Sequence, residues 1–108
     1  MQYQLSPADL NLVLALHRAG TLAAAGERLG VNASTVFRML QRLERGLGQV
    51  LFERSRRGYR AGELARTLAA QAEQVEAALE AARAAAQAEP GAIWRDVRSS
   101  VGVVHRLP

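Results

Sequence analysis

Arginine carries most of the chemistry that this chain can offer. All 14 basic residues of the 108-residue chain are arginines. Eight of them lie between residues 38 and 66 against three glutamates, so this stretch carries a charge of +5, whereas residues 67–89 sum to −3. Guanidinium groups gathered in one segment predict a surface that binds a polyanion such as nucleic acid. On charge alone, a basic surface that is merely solvated is the alternative.

Catalytic and metal chemistry have few residues to draw on. The chain has no cysteine, which excludes disulfides, thiolate nucleophiles and thiolate zinc sites. His17 and His105 are the only imidazoles, and His17 has no acidic residue nearby in the sequence. We therefore expect no enzyme activity, no metal and no cofactor. Because there is neither an apolar run near ~20 residues nor a signal-peptide pattern, we expect a cytoplasmic protein without a membrane partner.

The elements that position the arginines begin with two helices predicted from their ends. Ser6-Pro7 provides an N-cap followed by proline at the first helical position, and Gly20 ends this helix. Thr21 caps a second helix that runs to Leu29. The second helix is short and rich in alanine and glycine, so it can pack closely against a neighbour.

A third helix, capped by Asn32 and running to about Arg45, is predicted to recognise DNA. Gly46 and Gly48 mark its end. Its apolar positions 36, 40 and 43 recur at helical spacing, and its hydrogen-bonding residues lie opposite them. Two helices joined by a short glycine-containing turn form a helix-turn-helix, whose second helix enters the major groove. An ordinary amphipathic surface helix would show the same pattern. The outward residues are Ser34, Thr35, Arg38, Gln41 and Arg42.

A basic β-hairpin, or wing, is predicted after the third helix. Val50-Leu51-Phe52 is a short β-type run, residues 53–58 form a turn-forming tip, and Tyr59-Arg60 can pair back. A hairpin tip is poorly placed for internal ion pairs and well placed for a phosphate backbone or the minor groove. A solvated hairpin is the alternative. The tip arginines are Arg54, Arg56 and Arg57.

A long helix is predicted to pair two copies of the chain. Residues 63–87 contain neither proline nor glycine, and apolar residues recur there at alternating spacings of three and four, as in a coiled-coil seam. Such a helix is about 37 Å long, too long for so small a domain to cover, so we expect a homodimer. A solitary alanine-rich helix is the alternative. The predicted seam is Ala65, Leu68, Ala72, Val75, Leu79, Ala82 and Ala86.

These elements predict a mainly α fold: a winged helix-turn-helix with a long C-terminal linker and dimerisation helix. The expected organisation is a DNA-binding domain over residues 1–62 and a linker helix over residues 63–89. Residues 90–108 are either a tail or the start of an effector domain that is missing here.

Three stretches resemble one family. Thr21–Val31 is similar to its pattern S-x-x-x-A-A-E-x-L-x-V, Ser34–Glu44 to x-x-x-S-R-x-I-x-x-L-E, and Leu47–Arg54 to the diagnostic L-G-x-x-L-F-x-R. Over about residues 5–87 the chain resembles the N-terminal DNA-binding domain of LysR-type bacterial transcriptional regulators. The resemblance implies a winged helix-turn-helix and a linker helix that pairs in a dimer. It also implies a following effector domain in full-length members, for which a tetramer is possible.

The resemblance places base-reading positions on Ala33, Ser34, Phe37 and Arg38, and wing contacts on Arg54 and Arg57. The family often has glutamine at position 33 and serine at position 37, so base preference should differ here, and Phe37 can touch a thymine methyl. Gly62 stands where the family has a capping threonine, which costs at most a few tenths of a kcal/mol.

We therefore expect a sequence-specific DNA-binding transcriptional regulator whose partners are double-stranded DNA and a second copy of the chain. A winged-helix protein-interaction module with incidental DNA binding is the alternative, and an enzyme is the weakest hypothesis. The predicted DNA-contacting residues are Thr21, Asn32, Ala33, Ser34, Thr35, Phe37, Arg38, Gln41, Arg42, Arg54, Arg56 and Arg57.

Overall fold

The computed structural model describes residues 2–88, so the predicted tail lies outside the described residues. The described part is mainly helical with one two-stranded antiparallel sheet, which confirms the predicted fold class. One compact unit ends at Val75 and a second begins at Glu76, so the first unit includes the first half of the long helix. The elements are α1 (Pro7–Ala19), α2 (Leu22–Leu29), α3 (Ala33–Leu47), β1 (Phe52–Ser55), β2 (Gly58–Ala61) and α4 (Glu63–Ala88).

The predicted cap of α1 is confirmed, and it also anchors the N-terminal segment. The Ser6 hydroxyl accepts a hydrogen bond from the Asp9 backbone N–H at 3.1 Å, and the Asp9 carboxylate accepts one from the Ser6 N–H at 3.0 Å. The same carboxylate accepts a hydrogen bond from the Tyr3 hydroxyl at 2.9 Å, which raises the pKa of that hydroxyl. Tyr3 is thereby held beside the start of α1.

The end of α3 lies further along the chain than the sequence predicts. The sequence predicts an end near Arg45, with Gly46 and Gly48 as end signals. The helix continues to Leu47, and Gly48 caps it with a left-handed φ of 70°. Gly46 lies within the last turn, where the Tyr3 ring occupies the space that a side chain would need. The glycine therefore serves a contact between distant parts of the chain, and it does not end the helix.

The helix-turn-helix is confirmed, with the bounds of α2 as predicted. The Thr21 hydroxyl accepts a hydrogen bond from the Ala24 N–H at 3.1 Å and caps α2. The Gly26 carbonyl accepts hydrogen bonds from the N–H groups of Gly30 at 2.7 Å and Val31 at 2.9 Å, and Gly30 adopts a left-handed φ of 78°. These bonds turn the chain sharply into the cap of α3.

The core lies where the first three helices meet the base of the wing and the start of α4. The predicted inward residues Val36, Leu40 and Leu43 of α3 are all buried. They pack with the middle of α1 and with Leu51 and Phe52, at the start of β1. This packing fixes which side of α3 is left for a ligand.

The first half of α4 packs on the chain's own core, which corrects the expectation that the whole stripe needs another chain. Ala65 and Ala72 are buried there, and Leu68 is half-buried against the same cluster. Alanine is small enough to let a helix backbone approach the core closely. Val75 and Leu79, in contrast, are each 50% exposed. The predicted pairing surface is therefore shorter than the seven-residue seam.

Candidate nucleic-acid interface

The surface of α3 divides as a recognition helix requires. The side chains of Ser34, Arg38, Gln41 and Arg42 are exposed, on the side opposite the buried positions. Phe37 is exposed among them. Two other predicted contacts, Ala33 and Thr35, are half-buried and lie at the edge of this face. The exposed face offers hydroxyl, amide and guanidinium groups, which can hydrogen-bond base edges and phosphates.

Side chains in the first turn of α3 are organised by hydrogen bonds within the chain. The Asn32 carboxamide oxygen accepts from the Thr35 N–H at 2.8 Å and from the Ser34 hydroxyl at 2.9 Å. The Arg38 guanidinium donates to the Thr35 hydroxyl oxygen at 3.1 Å. Asn32 therefore acts in this structure as the helix cap. Arg38 keeps most of its five N–H donors for a partner, because only one is used here.

The wing is a tighter hairpin than predicted. Phe52 pairs with Ala61 and Ser55 with Gly58, so β1 extends through residues that the sequence assigns to the tip. Arg54 consequently lies within β1, and only Arg56 and Arg57 form the turn. The Ser55 hydroxyl bridges the turn at the end of this pairing: it donates to the Gly58 carbonyl at 3.2 Å and accepts from the Arg57 N–H at 3.3 Å.

The wing is attached to the loop between α1 and α2. The Tyr59 N–H donates to the Gly20 carbonyl at 2.7 Å. Gly58, with φ 131°, lies so close to that carbonyl that a side chain would collide with it. The wing therefore lies beside the N-terminus of α2.

A groove of about 290 Å³ forms at this junction. It joins the N-terminal end of α2, where backbone N–H groups carry partial positive charge, to the three predicted wing arginines. The structure thus brings together Thr21 and arginines more than 30 positions later in the sequence. Such a groove suits an anion, and a phosphate group of a nucleic-acid backbone fits this chemistry. Its lining residues are Thr21, Leu22, Arg54, Ser55, Arg56, Arg57, Gly58 and Tyr59.

Glu44 is a positioning residue that the sequence argument missed. Its carboxylate accepts hydrogen bonds from the backbone N–H groups of Leu51 at 2.7 Å and Phe52 at 3.2 Å. The Leu51 carbonyl in turn accepts from the Gly62 N–H at 2.8 Å. Together these bonds hold both ends of the wing against α3. The available signal was its place as the last residue of the pattern x-x-x-S-R-x-I-x-x-L-E, near the end of the recognition helix.

We expect Glu44→Ala to destabilise the fold by ~1.5–3 kcal/mol, because two backbone N–H groups at the base of the wing lose a charged acceptor. Urea unfolding of the variant and the unchanged chain measures this difference. Glu53→Ala is the matched control, since Glu53 is exposed on β1, and it should change stability by less than about 0.5 kcal/mol. Equal effects of the two substitutions would contradict the positioning role of Glu44.

Within residues 2–88, no three histidine, aspartate or glutamate side chains come together as metal ligands. No helix among these residues is both long enough and apolar enough to cross a membrane. His17 is exposed in the last turn of α1.

Comparisons with known proteins agree with this geometry. Residues 7–71 match the sequence model of the family described as bacterial regulatory helix-turn-helix protein, lysR family. Over 50 residues the chain is 46% identical to the HTH-type transcriptional regulator TcbR of Pseudomonas sp. (strain P51). The aligned residues make up 46% of this chain and 17% of TcbR.

Solved structures are similar over about three quarters of the chain. The CbnR DNA-binding domain, crystallised in complex with DNA, has a TM-score of 0.61 and 32% identity, covering 77% of this chain and 100% of that one. CbnR, a LysR family transcriptional regulator, has a TM-score of 0.63 and 32% identity over 76% of this chain. Full-length OxyR C199D from Pseudomonas aeruginosa has a TM-score of 0.65 and 28% identity over 79% of this chain.

The present chain spans 29% of the CbnR chain and 29% of full-length OxyR C199D. The matched family region covers most of the first compact unit, from the start of α1 into α4. The helix-turn-helix, the wing and the long helix follow one another in the order that the family resemblance implies. The chain therefore belongs to the LysR family of bacterial regulatory helix-turn-helix proteins and carries that family's winged helix-turn-helix DNA-binding domain.

Proposed function

We propose that this chain is a sequence-specific transcriptional regulator that inserts α3 into the major groove of DNA. The observation that carries the proposal is the division of α3 into a buried apolar side and an exposed side with Ser34, Arg38 and Gln41. An α-helix fits the major groove, where each base pair presents its own pattern of donors and acceptors. The similarity to a DNA-binding domain crystallised with DNA supports this role. As a bacterial regulator it would act in the cytoplasm.

In this proposal the groove beside the wing binds the DNA backbone. Arg54, Arg56 and Arg57 are exposed, and they line the groove together with the N-terminus of α2. Phosphate contacts fix the register and orientation of a protein on the duplex, whereas base-edge contacts carry sequence information. The wing would therefore supply affinity, and α3 would supply specificity.

The proposed active form is a dimer paired through α4. Val75 and Leu79 lie one helical turn apart in α4 and each is 50% exposed. A second copy would cover them. Two recognition helices related by a two-fold axis would meet half-sites about 10 base pairs apart, or a multiple of that distance, because both must face one side of the duplex.

Selection of binding sites from a random duplex library, followed by footprinting, tests the proposed function. We expect enrichment of one inverted repeat and protection of both half-sites. Binding of all duplexes with equal affinity would contradict sequence-specific regulation and favour a protein-interaction module with incidental DNA binding. Protection of only one half-site of the selected repeat would contradict the dimer alone.

Removing two wing arginines should change the salt dependence of binding more than its sequence preference. We expect Arg54→Ala with Arg57→Ala to lower the slope of log affinity against log salt by about two per chain, because each lost phosphate contact removes about one unit. Affinity measured at a series of salt concentrations gives the slope. Arg18→Ala is the control, since that guanidinium pairs with Glu73 at 3.6 Å. An unchanged slope in the double variant would refute backbone binding by the wing.

A further inference from the structure

Phe37 is an apolar residue on the polar face of α3, and it lies outside the core. The residue is 39% exposed and does not belong to the core cluster. Its neighbours Val36 and Leu40 are buried. The other large apolar side chains of the helix are buried or half-buried. Packing of the core therefore does not require an aromatic ring at this position.

The surroundings of Phe37 indicate what kind of group it can contact. Ser34 lies three residues before it, Gln41 four residues after it, and Arg38 follows it directly, so helical spacing places all four on one face. One partly exposed ring surrounded by polar and cationic groups is far smaller than the roughly 800 Å² per partner of a standard protein interface. The face fits a polar, anionic partner that presents a small apolar group.

The major groove presents such a group. Thymine carries a methyl at C5 that projects into the groove, whereas the other unmodified bases offer donors and acceptors there. We propose that Phe37 reads the C5-methyl group of a pyrimidine, an inference that rests on the proposed insertion of α3 into the major groove. Phe37 would then recognise the methyl group at C5, whether the base that carries it is thymine or a methylated cytosine. Deoxyuridine should weaken the contact, and 5-methylcytosine should provide it.

The expected effect of one methyl is modest and measurable. Removing a methyl or methylene group from water stabilises a complex by ~0.8 kcal/mol, which corresponds to about fourfold in affinity. Two symmetric half-sites would give about fifteenfold. Because Phe37 is exposed and lies outside the core, Phe37→Ala should leave the domain folded, and circular dichroism verifies this.

The experiment uses the binding site selected from the random library. Each thymine of a half-site is replaced in turn by deoxyuridine, which removes only the methyl, and affinities are measured for the unchanged chain, Phe37→Ala and Phe37→Leu. We expect one position at which deoxyuridine weakens the unchanged chain about fourfold per half-site. Phe37→Ala should bind both duplexes equally, and Phe37→Leu should keep part of the difference. At that position, 5-methylcytosine opposite guanine should bind about fourfold more tightly than cytosine.

The outcomes separate this inference from the proposed function. If no sequence is enriched, sequence-specific binding fails, and the methyl contact fails with it. If a site is enriched but deoxyuridine is tolerated at every position, only the methyl contact is overturned. A deoxyuridine effect of the same size in Phe37→Ala would also overturn the methyl contact. The loss of the ring and the loss of the methyl would then be independent, which means that the two groups do not interact.

Discussion

Leu79→Asp should lower affinity for a site with two half-sites by about a hundredfold or more. If two copies are paired through α4, the second half-site is bound at an effective concentration that a single copy cannot reach. An aspartate from each copy would place two like charges where the pairing surface must close. Binding isotherms on the two-half-site duplex measure this loss.

The structure also sets how strong this pairing can be. Val75 and Leu79 are each half-exposed, so four such side chains in a dimer contribute roughly 3–6 kcal/mol when buried. Association costs an estimated 4–15 kcal/mol because the two copies lose translational and rotational freedom. Pairing in free solution should therefore be weak and concentration-dependent, and DNA carrying both half-sites should promote it.

A matched control separates pairing from helix stability. Ala81→Asp introduces the same residue two positions further along α4, about 200° around the helix, where Ala81 is exposed. This control should bind the two-half-site duplex with the same affinity as the unchanged chain. Leu79→Asp should still bind an isolated half-site as well as the unchanged chain does. Full affinity of Leu79→Asp for the two-half-site duplex would contradict the dimer.

Arg38→Ala should weaken specific binding by about 5- to 150-fold, or ~1–3 kcal/mol, and relax the preference at one base pair. Arg38 is exposed and is the only cation among the first two turns of α3. Its hydrogen bond to Thr35 orients the guanidinium while leaving a pair of donors for the O6 and N7 acceptors of guanine. Competition among single-base variants of the selected site measures the preference.

Arg38→Lys distinguishes a base contact from a phosphate contact. Lysine keeps the charge but lacks the planar fork that pairs with guanine through two hydrogen bonds. It should therefore lose most of the preference while keeping nonspecific affinity. Equal weakening on every duplex, with the preference unchanged, would show that Arg38 contacts only phosphate.

Local chemistry made the helix-turn-helix predictable. The caps at Ser6, Thr21 and Asn32 depend on hydrogen bonds to N–H groups three residues away, and all three are present. The buried side of α3 follows from helical spacing alone. Features that depend on neighbours within a turn or two were therefore accessible from the sequence.

Contacts between distant segments were not accessible. Gly46 and Gly48 both resemble helix-end signals. Only Gly48 ends α3, and the sequence does not show that the Tyr3 ring fills the space beside Gly46. Glu44 looked like one acidic residue among arginines, although it accepts hydrogen bonds from the base of the wing. The apolar stripe of α4 was assigned wholly to a second chain because spacing cannot distinguish a partner's surface from the chain's own core.

The most direct measurement compares the affinity of the chain for the selected site with its affinity for a scrambled duplex of the same length and composition, at physiological salt. Equal length and composition hold the phosphate contribution constant, so the ratio isolates base recognition by α3. Sequence-specific regulation predicts a ratio of about a thousandfold or more. A ratio near one would contradict it and would leave the arginines of α3 and the wing as a nonspecific polyanion-binding surface.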